Sequence, residues 1–345
     1  MRRMYAVFIT LLLFWWSSLL LAPEQPVVSA VTVLSLGATP ATAPAVGSPS
    51  ASMATAEFAM MPAAMAMIAQ AYAAELATPA YARPLTNADT QLLEPLQFYA
   101  QQIPLEGGGH FSLSVSKYRY FYPESIEVTL VSTEQLAETW VYLQDETTGA
   151  LLLEQPIRAQ QGQYQVDLAA QKHWDGALQV GFRFEVQGER QRVHTGIEYS
   201  QPVAAVVAVE QPKAEQADMV IPVELMVEQA GHYRLKANLF TATRQPIAHI
   251  TAKAALGTGR QTMQLRVHKS VLTGQHGPYL LNTLLLERMS PSPGEPTRYG
   301  HSQVDEFELA EFAVDSLTDD AVPLTEQERQ TLQLLQQLAQ PAKGP

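Results

Sequence analysis

The sequence predicts an all-β chain: two tandem antiparallel β-sandwiches behind a leader and a disordered N-terminal linker, with a short helix at the C-terminus. Three observations carry this. First, short runs alternate apolar and polar residues. Tyr233, Leu235, Ala237 and Leu239 alternate with His232, Arg234, Lys236 and Asn238, and Met263, Leu265 and Val267 alternate with Gln264, Arg266 and His268. A period of two puts one face of a strand in a core and the other in water. Second, turn residues such as Pro123-Glu124, Thr148-Gly149, Gln161-Gly162 and Asp175-Gly176 separate the runs, with no helical pattern between them. That spacing favours antiparallel sandwiches over an α/β sheet. Third, 345 residues with 47% apolar content suffice for about two domains of roughly 150 residues each.

Residues 1–30 read as an export signal. Arg2 and Arg3 form a basic start, Tyr5 to Trp16 an apolar run, and Val28-Ser29-Ala30 a small-residue cleavage site. The rival is an uncleaved anchor, because residues 4–22 approach the ~20 residues that span a bilayer. Both readings place the rest of the chain outside the cytoplasm. Residues 31–84 read as an Ala/Pro/Ser-rich linker, uncharged from Gly37 to Ser52, that buries too little side chain to offset the entropy of ordering. Within it, Ala and Met favour a short helix from Met65 to Leu76, while Pro62 cuts the stretch before it. The methionines of residues 59–67 would suit an irregular apolar partner surface.

The first sandwich is expected over residues 85–205. Asn87 or Asp89 would cap a brief helix limited by Pro95. After Gly107-Gly108-Gly109, strands are expected around Phe111–Val115, Ile126–Leu130, Trp140–Leu143, Leu151–Leu153, Tyr164–Leu168, Leu178–Val186 and Val193–Tyr199. The second sandwich is expected over residues 206–316. Its strands run at Met219–Val227, His232–Thr241, Ile247–Ala255, Gln261–Lys269, Tyr279–Glu287 and Glu306–Val314, with residues 289–300 a long loop that, like residues 118–123 and the sheet edges, is a candidate partner surface. Residues 317–345 form an acidic linker and an amphipathic helix. Thr325 with Glu328 makes a capping box, and Leu332, Leu334, Leu335 and Leu338 make its apolar stripe, suited to the second sandwich or to another copy.

Composition and motifs exclude several chemistries. A net charge of −12 lacks the cationic attraction that drives nucleic-acid binding. With no cysteine there is no disulfide, thiolate metal site or catalytic thiol. His232, His249 and His268 lie on separate strands without paired metal-ligand spacing. The acidic residues from Asp305 to Asp320 lack the calcium-loop pattern. No G-x-S-x-G elbow is present, and Gly257-Thr258-Gly259 lacks the G-K-[ST] of a phosphate loop. The sequence therefore predicts no catalytic residue, no metal and no cofactor. The candidate partner-binding residues are Tyr118, Arg119, Tyr120, Phe121 and Tyr122, whose aromatic faces beside a guanidinium could stack on sugar or hold an extended peptide. The rival is a strand end whose alternate aromatics plug a sandwich mouth.

Residues 217–314 resemble the Ig-like modules at the C-terminal end of exported bacterial proteins, where they follow von Willebrand-type or peptidase domains. The resemblance rests on Gly231 to Leu235, Pro246-Ile247, Leu256-Gly257, Gly259 before Met263 to Val267, and Gly277-Pro278-Tyr279-Leu280. The whole chain looks like a family of exported gammaproteobacterial proteins of unknown function built from consecutive Ig-like domains. The resemblance implies two Ig-like sandwiches and an exported protein, and with the absence of site chemistry it leads to a non-enzymatic protein that binds a protein or cell-envelope partner. It supplies no catalytic residue. The alternative is a hydrolase, or the accessory region of one.

Overall fold

The computed structural model describes residues 51–105, 108–160 and 162–340, with side chains from Pro62 onward. The expected leader and residues 31–50 of the expected linker lie outside these residues. The described chain enters through helix α1 (Ala51–Leu76), strand β1 (Ala82–Pro84) and the single turn α2 (Thr90–Leu93). Helix α1 runs on through Pro62, where a break was expected. An interior proline removes one backbone bond at a cost of about 3 kcal/mol, and the alanines and methionines around it have the propensity to hold the flanking turns. No helix among the described residues is long and apolar enough to cross a membrane.

The first sandwich comprises β2 (Gln101–Pro104), β3 (His110–Val115), β4 (Arg119–Phe121), β5 (Ile126–Ser132), β6 (Ala137–Asp145), β7 (Leu151–Pro156), β8 (Gln163–Leu168), β9 (Gly176–Val186) and β10 (Glu189–Ser200). One sheet has the order β2-β3-β5-β8 and the other β4-β10-β9-β6-β7. All pairs are antiparallel except β4 with β10, where Arg119 stands opposite Glu198. The alternation read from the sequence fills the core. Ile126, Val128 and Leu130 from one sheet face Leu178, Val180 and Phe182 from the other, all essentially inaccessible to water. Trp174 lies edge-on to Tyr199 at 5.5 Å, and the Tyr199 hydroxyl donates to Glu124 O at 2.8 Å.

The second sandwich comprises β11 (Ala204–Val209), β12 (Lys213–Glu215), β13 (Asp218–Val227), β14 (Gly231–Thr241), β15 (Pro246–Leu256), β16 (Gly259–His268), the turn α3 (Lys269–Leu272), β17 (Tyr279–Arg288), β18 (Arg298–Ser302) and β19 (Glu306–Leu309). One layer runs β1-β15-β14-β17, and β17 continues through β18 to β11 and β13; β16 and β12 also pair with β13. Two short strands share the outer edge of β17. β19 pairs with Tyr279–Asn282, and β18 pairs with Leu286–Arg288. Thr283, Leu284 and Leu285 between them have no ladder partner on that edge, and Thr283 has a φ of +54°. The core holds Tyr233, Leu235, Ala237, Leu239, Leu265 and Val267, the apolar halves of the alternating runs. Beyond β19, Phe312, Val314 and Leu317 close its end.

Three stretches differ from the expectation. Ala82–Pro84, placed in the linker, is an edge strand paired with β15. It is fixed at both ends: Thr251 N donates to Tyr81 O (2.8 Å) and Leu85 N to Ile247 O (3.0 Å). Three residues are too few to show a period, so the strand left no pattern to read. Residues 204–209 belong to the second core, with Ala204 and Val206 buried. Residues 298–302 are a strand that begins in the last three residues of the expected loop. Helix α4 (Glu326–Leu338) has the predicted capping box, and none of its residues is buried.

One polar contact anchors the entering segment. Asn238 is fully buried on β14, and its Nδ2 donates to Leu92 O at 2.6 Å. Its Oδ1 lies 2.7 Å from His249 Nδ1, so that imidazole nitrogen carries the donated proton. Burial, then the charges of Lys236 and Arg83, hold the His249 pKa below its usual value. On the same sheet Glu287 meets Arg234 at 2.5 Å and Lys236 at 3.2 Å. Burial pushes the Glu287 carboxyl up, but the Arg234 hydrogen bond and Lys236 outweigh it and leave it below the ordinary carboxylate value.

Replacing Asn238→Ala strips partners from Leu92 O and His249 together. It should cost about 1–3 kcal/mol for the exposed need of buried groups, read as a lower denaturation midpoint. The two shifts set the acid limb of stability. Below about pH 6.5 the unfolded chain protonates His249 while the folded chain resists, so stability falls as pH drops through that region. Below about pH 4.3 the Glu287 contribution is lost in turn, as pH falls through its lowered folded value. Urea midpoints measured across pH 4–8 should show the upper step disappear in His249→Gln. Deleting residues 323–345 removes no buried residue of α4, so the midpoint should stay within about 0.5 kcal/mol of the full chain.

Candidate functional site

The cleft where the two sandwiches meet is the candidate site. The connection between them is short, and it is stitched from both sides. Val203 N donates to Tyr299 O (3.0 Å), and Glu228 N donates to Val203 O (2.9 Å). Gly300 allows this approach: a Cβ there would stand 2.5 Å from Ala204 O and 2.7 Å from a Leu286 methyl. Strand β18 lies parallel to β11, with Ala205 opposite His301, so its side chains reach the first sandwich. Arg298 pairs with Asp175. The Arg119 guanidinium lies 3.5 Å over the Tyr299 ring, and Phe121 sits 5.9 Å from the His301 ring. The segment after α2 bridges both bodies: Leu92 O is held by Asn238, and Leu96 O accepts from Tyr118 N at 2.9 Å.

Between these contacts is a cavity of about 540 Å³. Its walls are residues 93–97, Ser116, Lys117, Arg119, Phe121 and Glu124 from the first side, and Thr283–Leu286, Gly300–Ser302 and Asp305 from the second. The volume is in the range of small-ligand sites. The walls are mixed. Leu93, Pro95, Leu96, Phe121, Leu284 and Leu286 are apolar. Lys117 is paired with Glu124 at 2.7 Å, and Glu94 accepts from the Tyr99 hydroxyl at 3.3 Å.

Arg119 forms no side-chain hydrogen bond or ion pair with any described residue, and its Nε is buried without a partner. His301 Nδ1 is in the same condition. Both side chains line the cavity. Each therefore brings one buried nitrogen without a hydrogen-bond partner to the cavity wall. Glu198, on the strand beside Arg119, forms no ion pair with it, and burial pushes its carboxyl above the ordinary range, offset in part by Arg119.

The five aromatic-cluster residues divide by strand alternation. Tyr120 is 1% exposed, with its hydroxyl 2.9 Å from Ser116 Oγ, so it is core and presents no face to a partner. Tyr122 packs partly buried on the same core. Arg119 and Phe121 point the other way and line the cleft. Tyr118 is exposed and stacks at 5.1 Å on Phe98, away from the cleft walls. Sequence reasoning found Arg119 and Phe121, held Tyr299 only as part of a candidate loop surface over residues 289–300, and missed His301. Their strand of five residues sits in a stretch rich in Ser, Pro and Gly, which hid it.

The histidines weighed as metal ligands have separate surroundings. His232 is exposed, and His249 is committed to Asn238. His268 caps α3, with Nδ1 2.9 Å from Ser270 Oγ and Nε2 3.2 Å from Asp320 O. Among the described residues no group of three His, Asp or Glu is placed to hold a metal ion.

No protein-family model matches the chain, and no curated protein matches it. Solved structures do. A DUF4785 family protein from Legionella pneumophila is 15% identical with a TM-score of 0.42, over 52% of each chain. Salmonella α2-macroglobulin reacted with methylamine is 12% identical with a TM-score of 0.31, over 63% of this chain and 15% of that one. CopC from Methylosinus trichosporium OB3b is 16% identical with a TM-score of 0.18, over 29% of this chain and 91% of that one. The chain spans about half the length of the Legionella protein that it matches.

Proposed function

We propose that the chain is a non-enzymatic exported protein of the cell envelope or extracellular space that binds a protein or cell-surface partner, with the cleft between its sandwiches as the recognition surface. The observation that carries this is Arg119: a guanidinium 3.5 Å over the Tyr299 ring, lining a cavity, with no acid in an ion pair with it among the described residues. A fixed cation without an internal partner suits recognition, because its geometry is set before the ligand arrives. The Ser270–His268 contact resembles a nucleophile beside a base. It is spent on capping α3, two residues apart, and lies outside the cleft. Export is supported by Arg2-Arg3, the apolar run from Tyr5 and the small residues Val28-Ser29-Ala30.

The test is capture from envelope extract with the wild-type chain and with Gln97→Trp. Gln97 is exposed on the cleft wall and uses only its backbone in bonding, so the larger ring should narrow the cleft without harming the fold. A partner that is retained by wild type and lost in Gln97→Trp, at an unchanged melting temperature, is the expected result. Equal capture by both would reject the cleft. Turnover of a substrate that a single His or Asp change abolishes would reject the non-enzymatic reading. Fractionation should find the product outside the cytoplasm, shortened by about 30 residues if the leader is cleaved.

A further inference from the structure

We propose that the cleft takes the free C-terminal carboxylate of an extended peptide with apolar side chains: Arg119 receives the carboxylate, and the unpaired edge of β17 at Thr283–Leu285 receives the peptide backbone. This rests on the cleft being the recognition surface.

The cation comes first. Arg298 is paired with Asp175, and Lys117 with Glu124, which leaves Arg119 as the wall cation without an ion pair among the described residues. A guanidinium presents parallel N–H donors that match the two oxygens of one carboxylate. The Tyr299 ring, 3.5 Å away, restrains the guanidinium, so less freedom is lost when an anion binds. Glu198 stands opposite Arg119 in the ladder but forms no ion pair with it. His301 Nδ1 adds a second unsatisfied polar atom on the other wall.

The edge comes second. Backbone groups of a strand without a ladder partner are a template for another strand. Here the opening is only three residues long, bounded by β18 and β19, so it fits a short chain end rather than a long segment. Leu284, Phe121 and Leu96 line the same cavity and would receive alternate side chains. The charge of the walls narrows the class further. With Lys117 offset by Glu124, Glu94 and the exposed Asp305 leave the wall net negative, which disfavours phosphates and polyanions more strongly than a single carboxylate held by Arg119.

The test uses isothermal titration of the full chain with three probes: an N-acetyl tripeptide of alanine, valine and leucine as the free acid, the same tripeptide as the C-terminal amide, and N-acetyl-leucine. The free acid should bind at least about tenfold more tightly than the amide and than N-acetyl-leucine. Arg119→Gln should remove that advantage by weakening the acid alone. Because Arg119→Gln also loses the stack on Tyr299, Arg119→Lys and Gln97→Trp serve as further variants; each should weaken the acid at an unchanged melting temperature. Equal binding of acid and amide overturns the carboxylate assignment. Equal binding of tripeptide and N-acetyl-leucine overturns the backbone pairing. If no probe binds while Gln97→Trp still abolishes capture from envelope extract, the peptide-end inference fails and the cleft stands as a recognition surface for something else.

Discussion

Strand β18 holds the two sandwiches together, and the site depends on it. Within five residues it gives Arg298 to Asp175, the Tyr299 ring to Arg119, the Tyr299 carbonyl to Val203 and the His301 ring to Phe121. It is also the link by which the β17 layer continues into β11 and β13. One short strand therefore belongs to the second core and forms the joint with the first. Gly300 is what the geometry requires at its centre, since any side chain there would meet Ala204 O and Leu286. A joint made of a charged pair, a cation over a ring and a backbone bond is directional. Apolar contact alone would hold the bodies together without fixing their angle, and the cleft would lose its shape.

The fold was readable where its strands were long. The ten to twelve residues of β9, β10, β13, β14 and β16 show several alternations each, and their apolar halves are the residues found in the two cores. The capping box at Thr325 and Glu328 was readable for a local reason, because both partners lie within one turn. What escaped were elements too short to carry a period: Ala82–Pro84, Lys213–Glu215 and Arg298–Ser302. Their places are set by long-range pairing, which a local pattern does not contain.

The site was legible only in part for the same reason. Arg119 and Phe121 stood out as polar and aromatic neighbours in an aromatic run. The alternation that separates them from Tyr120 needed the direction of β4, which a strand of three residues does not announce. Tyr299 lies 180 positions away from Arg119 in sequence and meets it only because β18 runs beside β11. The unsatisfied nitrogens of Arg119 and His301 have no sequence signature, because satisfaction is a property of surroundings. The cleft is thus a product of domain pairing, and its chemistry comes from both cores.

The cleft keeps its shape only while the joint is rigid. Since the chain has no cysteine, a pair introduced at the exposed positions Glu189 and Lys253 can carry spin labels, one on each sandwich, without interference. Pulsed dipolar spectroscopy then reads the distribution of distances between them. A single narrow distribution in the otherwise wild-type chain, broadened by Tyr299→Ala, is the predicted result. A broad distribution that Tyr299→Ala leaves unchanged would contradict the fixed cleft.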